Sequence, residues 1–184
     1  RYGACRMKLL LDLGNTRLKW ALQGADGNWR ARGALAWSER LLAELAEAWS
    51  GLDAAGQVFG ASVVDPPREG LVIDAARTLL GREVRWLRTP AEACGVRNAY
   101  AEPGRLGVDR FLAMVAAHAD GRAPCVLAGI GTALTLDALA ADGRHLGGLI
   151  APGPQLMQQS VLGATAQVRP ERPGQVLDFA DNTA

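Results

Sequence analysis

Two short glycine-threonine turns, far apart in the chain, constrain its fold more than any other feature. The first follows Leu9-Leu10-Leu11 and reads Asp12-Leu13-Gly14-Asn15-Thr16. The second follows Val126-Leu127-Ala128 and reads Gly129-Ile130-Gly131-Thr132-Ala133. Each ends an apolar strand-like run, bends on a glycine, presents a threonine and enters a further strand-like segment. Such a turn offers backbone N–H groups and a hydroxyl to an anion, and a phosphate fits that description. A pair of them suggests two half-domains gripping one polyphosphate between them, which points to ATP.

The rest of the chain supports such halves. Residues 9–11, 18–22 and 29–35 read as strands, with Asp26-Gly27 as a hairpin turn. Ser38 looks like the N-cap of a helix over 38–49, with Leu41, Leu42, Leu45 and Ala48 on one face. A strand over 58–64, a helix over 68–80 ending at Gly81, and a strand over 83–87 follow. Three strands in a meander and then helix–strand alternation imply a mixed sheet covered by helices. A turn-rich loop over 89–107 separates the halves. A helix over 108–119, with Phe111, Leu112, Val115 and Ala116 as its apolar face, opens the second half. Strands at 125–128, 134–139 and 145–150 then repeat the opening order of the first half, with Asp142-Gly143 as the turn. A short helix over 155–161 and a loop from Gly163 complete the chain. The second half is unfinished at Ala184 by this comparison, so further elements are expected to follow.

Composition narrows the function. With 49% apolar residues among 184, a sizeable core is available. The net charge is +1 and no basic stripe stands out, so no nucleic-acid partner is expected. Cys5, Cys94 and Cys125 form no CxxC pair, which argues against a zinc site or disulfide framework and for the reduced cytoplasm. No apolar run nears the about 20 residues that span a bilayer, so no membrane partner is expected. Met7 is the candidate initiator, with residues 1–6 an extension.

Several residues could carry chemistry. Asp12, at a strand end, could hold a hydrated magnesium ion. Gly14 lets the backbone approach phosphate closely. Asn15 and Thr16 can supply donors, and Lys19 a point charge. Taken alone, an ordinary hairpin with Asp12 and Asn15 satisfying the turn explains this motif better; the second turn lowers that weight. In Leu106-Gly107-Val108-Asp109-Arg110, Asp109 falls in the first turn of a helix. There a carboxylate is favoured by the helix dipole whatever its role. As a functional group it would be a general base, kept ionised beside Arg110, which could itself bind a carboxylate or phosphate. Gly147-Gly148 suggests either a ligand or backbone passing close by, or tight packing against a helix. His118 and His145 share no ligand spacing and read as structural. Trp20, Trp29, Trp37, Trp49 and Trp86 all lie in the first half, as core or as a self-association surface.

In combination these segments resemble the type III pantothenate kinases, a branch of the acetate kinase/sugar kinase/Hsp70/actin superfamily. Asp12 to Lys19 is similar to that family's Asp-x-Gly-Asn-Thr phosphate motif, and Gly107, Val108, Asp109 and Arg110 to its Gly-x-Asp-Arg substrate motif. Gly131, Thr132, Ala133 and Thr135 are similar to its second phosphate motif. Gly147-Gly148-Leu149-Ile150-Ala151-Pro152-Gly153 matches its Gly-Gly-x-Ile-x-Pro-Gly segment. The resemblance implies an α/β fold of two ribonuclease H-like halves, over residues 7–100 and 101–184. Each would be a mixed sheet with antiparallel first strands and flanking helices. It implies ATP-dependent phosphorylation of pantothenate, the first step of coenzyme A synthesis. Asp12, Leu13, Gly14, Asn15, Thr16, Arg17, Leu18, Lys19 and Thr132 would bind ATP with magnesium. Tyr100, Gly107, Val108, Arg110 and Thr183 would bind pantothenate, and Asp109 would be the catalytic base. A homodimer and a potassium or ammonium ion are also implied. Here the sequence departs from the family, whose cation-binding aspartate is replaced by Gly129. Either other oxygens hold the cation, or it is not used, or activity is impaired. The rival readings are a non-catalytic nucleotide-binding relative acting as an accessory regulatory factor, and an Hsp70/actin-like ATPase module. A substrate base at Asp109 is needed by neither.

Overall fold

A computed structural model describes residues 7–52 and 55–165 of the chain. Strands β1 (Met7–Leu13), β2 (Arg17–Gln23) and β3 (Trp29–Ala36) form the expected antiparallel meander. Strands β4 (Ala55–Ser62) and β5 (Val84–Leu87) add to the free edge of β1 in parallel, giving the order β3-β2-β1-β4-β5. Alternation sets the two faces. Leu9, Leu11 and Leu13 stand opposite Leu22, Trp20 and Leu18 and are buried. They pack with Leu41 and Leu45 of helix α1 (Leu41–Ala48) and Val72, Ala76 and Leu80 of helix α2 (Pro66–Leu80) in one core. Leu10 and Asp12 therefore project from the opposite face.

Local chemistry places the helix ends. Asp65 caps α2 by accepting from the Arg68 N–H at 3.0 Å, Pro66 opens it, and Gly81 closes it in the left-handed region at φ 61°. Asp65 and the two prolines thus start the helix, two residues before the expected start at residue 68. Helix α1 departs from expectation in the other direction. Ser38 is not its cap; the Ser38 carbonyl accepts from the Leu41 N–H at 3.1 Å, and Arg40 occupies the cap position without a side-chain bond.

The second half begins with a small hairpin, β6 (Glu92–Ala93) and β7 (Val96–Arg97), inside the stretch expected to be loop. A 3-10 turn (Pro103–Arg105) leads into helix α3 (Val108–Ala119). Strands β8 (Cys125–Ile130), β9 (Ala133–Leu139) and β10 (His145–Pro152) form an antiparallel sheet in the order β10-β9-β8, followed by helix α4 (Pro154–Ala164). Val96, Leu106, Phe111, Met114, Ala117 and Leu139 make a second core, with Tyr100 against it. Val96 and Tyr100 thus pack with this second core. Helix α3 buries Val108, Phe111, Met114 and Ala117, so Phe111 of the expected face is in the core, Val115 packs at its edge and Ala116 is exposed. Leu112 turns instead toward the first sheet, because α3 lies between the two sheets and is apolar on both sides.

Candidate active site between the two turns

Both turns are closed by their own backbones. The Gly14 N–H donates to the Arg17 carbonyl at 3.1 Å, and the Gly131 N–H to the Ala133 carbonyl at 3.0 Å. Neighbouring elements brace them from behind. Trp37 Nε1 donates to the Gly14 carbonyl at 2.8 Å, and the Gly153 N–H donates to the Thr132 carbonyl at 2.9 Å. The threonines are left facing out, and they meet: Thr16 Oγ1 and Thr132 Oγ1 share a hydrogen bond of 2.6 Å across the halves. The fold therefore brings the two motifs into contact. Leu13 and Leu18, which flank the first turn, are fully buried, so any part they take in nucleotide binding is through the backbone. Asn15, Thr16 and Arg17 are exposed.

A cavity of about 810 Å³ lies on the first sheet's open face and reaches Asp12, near the end of β1. Leu10, Phe59, Ala61 and Leu87 form its apolar floor, and Leu112 and Asp109 of α3 form one wall. Asp12, Lys19 and Arg32 line it as well. Lys19 Nζ stands 3.1 Å from Asp12 Oδ2, both side chains well exposed. The carboxylates of Asp12 and Asp109, one from each half, thus border one space.

Asp109 is held at the start of α3, where its Oδ1 accepts from the Arg110 N–H at 2.8 Å. Gly107 makes this possible: a Cβ there would stand 2.5 Å from Asp109 Oδ1. The glycine two residues before the aspartate is a steric requirement of that carboxylate position.

Arg110 does not serve as the ion-pair partner of Asp109. Its guanidinium grips Asp137 of β9 through Nε at 2.8 Å and Nη2 at 2.7 Å, and both side chains are buried. This pair raises the Arg110 pKa, chiefly through the Asp137 hydrogen bond, with burial opposing and the Tyr100 phenol adding a smaller push. His145 Nε2 lies 3.0 Å from the same Asp137 Oδ1. Asp137 and His145 were not among the sequence candidates for function. A charged residue at an inward position of an otherwise apolar strand was the available signal for Asp137. The Gly147-Gly148 alternative is resolved for Gly148: a Cβ there would stand 2.5 Å from Arg110 Nη2 and from the Leu136 carbonyl, so the buried ion pair passes directly over its backbone. Asn98 organises the adjoining loop by accepting from the Tyr100 N–H at 3.0 Å while donating to the Pro103 carbonyl at 3.2 Å. Thr183 lies outside the described residues.

Known structures and sequences place this arrangement. A Campylobacter jejuni protein classed with the Baf family of transcriptional activators matches with a TM-score of 0.52 at 19% identity, over 91% of this chain and 68% of that one. A Sinorhizobium meliloti protein classed as a 2-dehydro-3-deoxygalactonokinase matches with a TM-score of 0.51 at 19% identity, over 84% and 56%. At that identity the likeness is one of fold alone, a mixed five-stranded sheet and an antiparallel sheet with flanking helices. The family description "Type III pantothenate kinase" matches residues 8–184. The type III pantothenate kinase of Aromatoleum aromaticum is 40% identical over 179 residues, covering 97% of this chain and 72% of the relative. That of Thiobacillus denitrificans is 45% identical over 159 residues, covering 86% and 62%. The chain belongs to the type III pantothenate kinase family, and its enzyme class is that of a pantothenate kinase. The accessory-factor and ATPase-module alternatives are not favoured.

Proposed function

We propose that this chain transfers the γ-phosphoryl group of ATP to the primary hydroxyl of pantothenate, at the junction of the Gly14 and Gly131 turns. The observation that carries this reading is the cavity lined by both Asp12 and Asp109, with Asp12 at the end of the strand that leads into the turn whose Thr16 meets Thr132. Phosphoryl transfer needs positioning and charge neutralisation more than covalent chemistry. Thr16 and Thr132 would contact the phosphates from opposite sides, and Lys19 would follow their charge. Asp12 fits a magnesium ion held through water: it is half-exposed at the strand end before the first turn, and this ion keeps several waters and takes few carboxylates. When bound, the ion neutralises charge on the phosphate oxygens. Asp109 would accept the hydroxyl proton, and Tyr100 and Arg110 would hold the substrate's polar groups.

At Gly129 no carboxylate is present for a monovalent cation. A Cβ there would stand 2.6 Å from Thr135 Oγ1, so the Thr135 hydroxyl already occupies the adjoining space. We read turnover as only weakly dependent on potassium; a steep potassium requirement in steady-state assays overturns that. A homodimer is supported by the exposed apolar side chains of the second sheet, among them Val126, Ile130 and Ile150. Cytoplasmic location agrees with the free thiols of Cys94 and Cys125. No described helix is long and apolar enough to cross a membrane.

The deciding experiment measures ADP release with pantothenate against a panel of sugars and short acids. Wild type is expected to turn over pantothenate alone. Asp109→Asn should lower kcat by about 10²-fold or more while ATP affinity is retained. Wild-type turnover in that variant rejects the assignment of the base.

A further inference from the structure

The substrate side of the site rests on a buried polar chain that the mechanism above does not use. Asp137 binds the Arg110 guanidinium along the Nε–Nη2 edge, which fixes its plane and leaves Nη1 as the edge not taken by the carboxylate. Asp137 Oδ1 also meets His145 Nε2 at 3.0 Å, and the His145 side chain is completely buried. The Ala99 N–H approaches His145 Nδ1 at 3.4 Å, so the imidazole accepts at Nδ1 and donates at Nε2. The Tyr100 ring stacks on the same imidazole, with centroids 6.0 Å apart and planes 15° from parallel. One face of the ion pair is closed by the backbone at Gly148, where no side chain fits.

We propose that Asp137 and His145 are positioning residues for the phosphoryl acceptor. The two link the two substrate-side groups, Arg110 on α3 and Tyr100 on the loop, which come from different elements. This rests on the pantothenate reading above for what Arg110 and Tyr100 hold. An arginine without Asp137 would sample several rotamers and lose its alignment to a substrate carboxylate. Both residues are buried, so the dyad would act through Arg110 and Tyr100 rather than by touching substrate. Its loss acts on acceptor binding and leaves the nucleotide side alone.

Three variants of the full chain test this. Asp137→Asn keeps the shape but not the charge, and should raise the pantothenate KM about tenfold or more with the ATP KM unchanged. His145→Gln keeps an N–H for Asp137 and should stay close to wild type. His145→Phe keeps a ring against Tyr100 but no N–H, and should raise the pantothenate KM as Asp137→Asn does. Equal shifts in both KM values, or equal effects of the Gln and Phe variants, overturn the proposal. Should Asp137→Asn not fold, the two His145 variants decide. Nitrogen-15 NMR of the arginine side chains gives a readout independent of turnover. The Arg110 Nε–H should exchange slowly with water in wild type and His145→Gln, and fast in His145→Phe. Fast exchange in wild type overturns the proposal. A wild type with a protected Arg110 Nε–H and no turnover of pantothenate refutes the substrate assignment and leaves the positioning network in place.

Discussion

Two glycines of the site look alike in sequence and should fail differently. Neither has a positive φ, so only space is at issue. At Gly107 an added methyl meets the end of a movable side chain, the Asp109 carboxylate. Gly107→Ala should therefore displace the proposed base and depress kcat while stability stays within about 1 kcal/mol of wild type, checked by urea unfolding. At Gly148 the methyl meets the Leu136 carbonyl as well as Arg110, and a backbone cannot step aside. Gly148→Ala should cost about 1–3 kcal/mol in the same assay. The Gly-x-Asp spacing was legible because the clash it avoids is local. The partner of Arg110 was not, because Asp137 lies on a strand brought near only by the fold.

Among the elements, α2 shows how local signals and tertiary contacts divide the work. Its ends are set by Asp65, Pro66 and Gly81, of which Gly81 was read from residue type and the Asp65 cap was not. Asp65→Ala should lower stability by about 1 kcal/mol through loss of the cap, measured by chemical denaturation. Glu69 in its first turn ties the helix to Arg88 just beyond β5, with Arg88 Nη1 donating to Oε2 at 3.2 Å. The Arg88 hydrogen bond lowers the Glu69 pKa below its ordinary 4.5, against the opposing effect of burial. A depressed carboxylate contributes stability that is present above pH 4.5 and lost as the pH falls through the lowered value. Glu69→Gln should flatten that acid limb. The effect stays below about 1 kcal/mol, since Arg88 is more than half exposed and water screens the pair. Helix α1 was read less well, because Ser38 has the right residue type for a cap but its carbonyl, not its hydroxyl, closes the turn. Only part of the apolar face of α3, Phe111 and Val115, was legible, for a physical reason as well. A helix wedged between two sheets is apolar on two sides, and periodicity selects only one.

For the whole molecule, the repeated order of strands and turns conveyed that two comparable halves exist. It did not convey that the turns touch, since contact depends on how α3 and the β6–β7 hairpin join the halves. Thr132→Val removes the hydroxyl on one side of that contact. It should raise the ATP KM and leave the pantothenate KM unchanged, the mirror of the pattern expected for Asp137→Asn. Light scattering tests the other whole-molecule reading. The apolar surface of the second sheet predicts a dimer, and a monomer at assay concentration counts against it.

The threonine contact also has a kinetic meaning. Two hydroxyls 2.6 Å apart leave no room for a phosphoryl group between them, so a triphosphate bound as proposed above would have to wait for them to part. Nucleotide capture would then have a gate in series with diffusion. In stopped-flow experiments the observed association rate should rise with ATP concentration and then level off at the opening rate. Replacing either threonine by alanine should lift that plateau, and a strictly linear dependence in wild type would show that the junction already stands open.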